Sequence, residues 1–258
     1  MSEVLILLKR DLKNSMNKRF YIMLVFLLLF QVWFILGSDS AGQVRSTGVM
    51  HYMAVVFSFN FFGSIVALAL NHDGISVERE TKILDLILTS GVSKKKVYIS
   101  KILTSLLISG IFALLYLLVL LMVYFVMSGD IGMSMLTLRY VFPLMAFLFV
   151  FGLMGLLFSV IFRSSRTSLI TSIIIGGLLM PRLFVMIVDS LSSIGGFSEK
   201  TVEILYMISP ALMMNALNGY SEMVDVLRAL LLMMIYLAVT ILSGVNIFAR
   251  QDELNYGE

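Results

Sequence analysis

A chain of 258 residues would ordinarily be read as one or two water-soluble domains, but 59% of these residues are hydrophobic and only 14% are charged. Together with a mean hydropathy of +0.98, this excludes the soluble classes and implies an integral membrane protein. The formal charge of +3 does not point to nucleic acid, because the basic residues flank apolar runs instead of forming one stripe; the lack of cysteine excludes a disulfide framework or thiolate metal site, and His51 and His72 alone offer little to a metal.

Residues 3–17 place Val4, Leu5, Leu8, Leu12 and Met16 on one stripe and Lys9, Arg10 and Lys13 on the other side, the pattern of a helix lying in the membrane interface. A first span is expected over 20–37, with Gln31 as its one polar interior residue. The apolar run is as long as a span and no small-residue cleavage pattern follows it, so a signal peptide is not expected. The second span is expected over 50–70, with His51 near one end and Asn60 near the middle.

Next comes the charge-dense stretch Ser76 to Lys101, SVERETKILDLILTSGVSKKKVYISK. At helical spacing Glu78, Lys82, Asp85 and Thr89 share one face, while Val77, Ile83, Leu84, Ile87 and Leu88 fall largely opposite, which predicts an amphipathic helix. From Val77 to Ser90 such a helix reaches only about 21 Å, too short for a hydrocarbon core of about 30 Å. Gly91 suits the left-handed conformation that ends many helices, and Ser93 suits an N-cap before Lys94, Lys95 and Lys96. The unit therefore reads as helix, turn, basic hinge and span.

These residues resemble a known family. Permeases of the type-2 ATP-binding-cassette (ABC) exporters often carry, after their second span, a pattern like E-R-E-x-G-T-L-E-L-L-L-x-x-P-V-S, followed some residues later by G-K. Glu78, Arg79, Glu80, Leu84, Asp85, Leu86, Ile87, Leu88, Val92, Ser93 and Lys101 stand in matching places. Lys82 and Ile83 replace the usual Gly-Thr, Gly91 the usual Pro, and Ser100 the usual Gly. The resemblance implies that residues 76–91 are the family's coupling helix, with Glu78, Arg79, Glu80, Lys82, Asp85, Gly91 and Ser93 as candidate ATPase-coupling positions. It also implies an elbow helix over 3–17 that touches the ATPase along the inner leaflet; a basic anchor on the lipid surface is the other reading of that segment.

A third span is expected over 102–127, a fourth over 140–162, and a fifth over 167–188 after the short turn Arg163 to Arg166. In the fifth, Pro181 is expected to kink or break the helix. Arg182 beside it is a charge inside a span, either snorkelling or paired with Asp189, or touching an anionic substrate group or a gate. Pro181, Arg182 and Asn60 are the candidate pathway residues. Pro210 divides residues 189–225 into pieces too short to cross, read as interfacial or re-entrant helices of the outer leaflet; Ser209-Pro210 resembles a feature the family shows there. The last span is expected over 226–248. Gly152, Gly155, Gly176 and Gly177 permit close helix approach, within the bundle or across a dimer interface.

The fold expected is thus an all-α membrane protein forming a single permease domain of six spans, with an N-terminal interfacial helix, a coupling helix between spans two and three, and short outer-leaflet helices between spans five and six. Lys9, Arg10, Lys13, Lys18, Arg19, Arg79, Lys82, Lys94, Lys95, Lys96, Lys101, Arg163, Arg166 and Arg250 then share one side, which the positive-inside rule makes cytoplasmic, together with both termini. No G-x-x-x-x-G-K-[ST] occurs, so the chain carries no phosphate-cradling loop of its own. His51 and His72 would lie about 31 Å apart on one straight helix, too far to serve one hydrolytic site. The resemblance implies a non-catalytic permease in the plasma membrane of a prokaryote, paired with a cytoplasmic ABC ATPase that binds ATP and Mg, and with a second permease, identical or paralogous. A self-sufficient channel or secondary transporter, or a complex doing mechanical work on an envelope partner, are the alternatives. The nineteen Met and nineteen Phe read either as lipid-facing and core filling or as an adaptable surface for a lipid-like cargo.

Overall fold

The structure, a computed structural model, describes residues 3–37, 62–128, 141–194, 198, 201–202 and 223–251. Every element among them is helical: α1 (Glu3–Ser15), α2 (Lys18–Gly37), α3 (Ser64–Asn71), α4 (Ser76–Glu80), α5 (Ile83–Thr89), α6 (Lys94–Ser128), α7 (Val141–Ile161), α8 (Ser165–Thr171), a π-helical segment (Ser172–Leu183), α9 (Phe184–Ile194) and α10 (Met223–Arg250). Asn60, His51, most of the expected second span and Ser209-Pro210 lie outside the described residues.

Among the described residues three helices are long and apolar enough to cross a membrane: Lys94–Val123, Leu144–Ile161 and Ala229–Arg250. They occupy different places in the bundle. In its most apolar window α7 is 72% buried and α10 only 11%. α7 is apolar all round, as a helix surrounded by other helices must be. It packs against α3, α6, α8 and α10, so it is the central post.

Two apolar clusters stack along that post. One joins Phe20, Leu24 and Leu27 of α2, Val66 and Leu68 of α3, Ile108, Phe112, Tyr116 and Leu120 of α6, and Leu144, Phe147 and Phe151 of α7. The other lies at the opposite end of α7. It gathers Leu7 of α1, Ile75, Leu84 of α5, Val97 and Tyr98 of α6, Leu156 and Val160 of α7, and Phe248 of α10. This second cluster is the floor on which the charge-dense stretch rests.

Close approach to α3 explains the glycines. A Cβ at Gly155 would stand 2.8 Å from the backbone oxygen of Leu68, so α7 and α3 touch backbone to backbone there. Gly176 and Gly177 face Leu68 and Ile65, and Gly152 faces Asn71 and Ser105. The alternative left open by sequence is decided for these positions: they serve packing within the chain.

Several boundaries differ from expectation. The charge-dense stretch is two short helices, broken at Thr81–Lys82, where Lys82 takes φ 59° and ψ 12°. Lys94 to Lys96 form the first turn of the 35-residue α6 instead of a separate segment before it; the turn between α5 and α6 is Ser90–Ser93, with Gly91 at φ 90°. At about 1.5 Å per residue α6 is about 52 Å long, so it projects well beyond a hydrocarbon core. Of the kink or break expected at Pro181, the break does not occur. The helical path runs from Ser165 to Ile194, past the expected end at 188, with the wider π register from Ser172 to Leu183, which suits a residue without a backbone N–H.

Candidate functional site: a charged hub at the Ser76–Thr89 helices

Helix α1 places Asp11 on the face it turns to α6, among Leu7 and the half-buried Val4, Leu8 and Leu12. Leu5 and Ile6 are exposed instead, so the buried stripe is rotated from the one expected. A carboxylate only 3% exposed must be paired or neutralised. Asp11 is paired: its Oδ1 accepts from Arg10 Nη2 at 2.6 Å and from Lys101 Nζ at 3.0 Å, and its Oδ2 accepts from Ser100 Oγ at 3.0 Å.

Glu78 completes the cluster from α4. Its Oε1 accepts from Lys101 Nζ at 2.7 Å and Arg10 Nη2 at 2.5 Å. Two carboxylates and two cations thus balance, with Lys101 8% exposed and Glu78 9%. Glu78 was expected on the outward polar face. It points inward because the left-handed residue at Lys82 shifts the phase between α4 and α5, so one helical wheel cannot describe both.

Arg79 and Glu80 extend the hub to other helices. The Arg79 guanidinium donates to the carbonyls of Val160 and Phe162 at 3.3–3.4 Å, satisfying the C-terminal end of α7. It also donates to Gln251 Oε1 at 2.6 Å, and Gln251 Nε2 donates to the Val160 carbonyl at 2.8 Å, which ties in the end of α10. Burial and the neighbouring Arg163 push the guanidinium below its ordinary range, with Asp85 opposing; at any physiological pH it stays charged. Glu80 accepts from the backbone N–H of Ser165 at 2.9 Å, a carboxylate at the start of α8.

A hydroxyl node fixes the turn that leads into α4. Ser159 Oγ of α7 accepts the backbone N–H groups of both Ile75 and Ser76 at 2.8 Å. The His72 carbonyl accepts from Ser76 Oγ at 3.1 Å and Ser168 Oγ at 2.8 Å. His72 itself is buried, with Nδ1 2.7 Å from the Ala69 carbonyl.

The sequence-predicted residues therefore divide. Glu78, Arg79 and Glu80 tie α4 to α1, α6, α7, α8 and α10. Lys82 and Asp85 stand outward, with Ile83 42% and Leu86 69% exposed beside them, while Leu84 sinks into the floor. Gly91 and Ser93 form the turn, the Ser93 carbonyl accepting from Val97 N–H at 3.2 Å. Pro181 and Arg182 lie near the far end of the π-helical segment from the Glu80–Ser165 contact, so they are not brought to the hub. Sequence reasoning missed Asp11, Ser159 and Gln251. Asp11 did carry a signal, being a carboxylate at helical spacing from Leu7 and Leu8, and Ser159 is a hydroxyl inside an apolar run.

This is a helical membrane protein with a compact charged hub where six helices meet, flanked by an exposed face at Lys82, Ile83, Asp85 and Leu86. The chain belongs to the ABC-2 family transporter proteins, whose family model matches residues 36–245. Members are generally non-catalytic membrane subunits that work with a cytoplasmic ATPase, so this is a permease subunit of an ABC transporter. No curated protein matches the chain.

Proposed function

We propose that this permease works in an ATP-driven exporter, and that α4 and α5 receive the movement of a separate ABC ATPase which holds the ATP and Mg. One observation carries the reading: the same stretch offers an unburied face, Lys82, Ile83, Asp85 and Leu86, and grips five other helices from behind through Glu78, Arg79 and Glu80. Docking falls to the outward residues. Glu78 and Arg79 transmit, and Glu80, though exposed, transmits by its hold on α8.

Because α6 starts at Lys94, one four-residue turn after α5, a push on α5 reaches a single stiff helix that enters the membrane. Gly91 gives that turn its left-handed step. In this reading six spans put both termini in the cytoplasm of a prokaryotic cell, and two permeases, identical or paralogous, enclose the pathway. Export as the direction follows the family resemblance.

The test is co-purification of the ATPase with full-length permease carrying Asp85→Lys and Leu86→Asp together. Retention of the ATPase should fall at least tenfold with membrane insertion intact. Unchanged retention would remove the docking face from consideration.

A further inference from the structure

Between the α1–α2 junction, the end of α3 and the turn into α4 lies a cavity of about 720 Å³, within the size range of small-ligand sites. Its floor is the Asp11–Lys101–Glu78 cluster, already neutral once Arg10 is included. Its rim is not neutral: Lys13, Lys18 and Arg19 stand against one carboxylate, Asp73, which takes Arg19 at 2.9 Å. Lys13 and Lys18 are exposed, and among the described residues neither forms an ion pair. Asn14, Asn17 and Asn71 add amide groups to the wall.

What adjoins the rim identifies the occupant. Immediately after Arg19, α2 presents Tyr21, Ile22, Val25, Phe26 and Leu29, all exposed and at spacings of one helical turn. A positive cup thus opens at the foot of an uncovered apolar stripe. We propose that the cup binds the phosphate headgroup of an anionic membrane phospholipid, with Lys13, Lys18 and Arg19 on the phosphate and an acyl chain along the α2 stripe. Basic pockets at the ends of membrane helices take such headgroups because the phosphate supplies the missing countercharge without leaving the bilayer. The inference is independent of ATPase docking and stands or falls separately from it.

The test uses the full-length protein in nanodiscs of defined composition, with bound lipid counted by native mass spectrometry. Phosphatidylglycerol should be retained over phosphatidylcholine. K13Q/K18Q should lose about thirtyfold of that preference, the factor that two lysine contacts of this kind supply, and K13R/K18R should keep it. The control K9Q/K95Q, two exposed lysines away from the cup, should change nothing, and soluble glycerol phosphate should not displace the lipid. Equal retention of the two lipids, an equal loss in the control, or displacement by glycerol phosphate would overturn the proposal, the last by showing a site for soluble phosphate compounds.

Discussion

Replacing Lys101 by methionine tests whether the buried cluster holds the hub together. The ammonium contacts Asp11 at 3.0 Å and Glu78 at 2.7 Å, and both carboxylates are nearly shut off from solvent. Without it, Arg10 alone faces two buried carboxylates. Removing one partner of a buried ion pair costs about 3–5 kcal/mol, because the charge left behind is uncompensated. Since Arg10 still reaches both acids, the lower end, about 3 kcal/mol, is expected. The contrast is Lys96→Met, which breaks the 2.9 Å pair with Glu3, half exposed on both sides; such pairs contribute about 1 kcal/mol or less. Thermal unfolding in one detergent should therefore show Lys101→Met melting several degrees below wild type and Lys96→Met within a degree or two of it. Adding Glu78→Gln to Lys101→Met removes the surplus negative charge and should restore part of the loss. Equal shifts for the two lysine variants, or no recovery in the double variant, would refute the claim that charge pairing holds α1, α4 and α6 together.

Lys82 sits in the left-handed region at φ 59°, a conformation that costs a non-glycine residue about 1 kcal/mol or more. Lys82→Gly should therefore raise the melting temperature slightly or leave it unchanged, whereas Lys82→Val should lower it. Ser159→Ala leaves the buried N–H groups of Ile75 and Ser76 without their acceptor, at about 1–3 kcal/mol for each. Faster hydrogen exchange confined to the turn into α4 should accompany that loss of stability.

Much of this protein was legible from local pattern. Apolar runs and their lengths marked α6, α7 and α10 as candidate spans, and the charge-dense stretch stood out from its neighbours, but its pattern gave no sign that Glu78 turns inward to a buried cluster. A glycine at the position of Lys82, which the family pattern resembled by this stretch often has, would fit a physical need here, since the chain takes a left-handed residue between two short helices. Periodicity could not show that break, because a helical wheel assumes one continuous phase through α4 and α5.

Sequence by itself determined the membrane class and the place of the long apolar helices, because hydropathy and spacing belong to one segment at a time. Tertiary structure alone decided that Asp11 and Glu78 share Lys101, that Arg79 closes the end of α7, and that Gly155 meets α3. Ion pairing and backbone contact depend on which face of a distant helix lies opposite. That choice is made only when the helices pack, since a buried charge requires its partner within about 3 Å and a close helix crossing requires a missing Cβ on the side that touches.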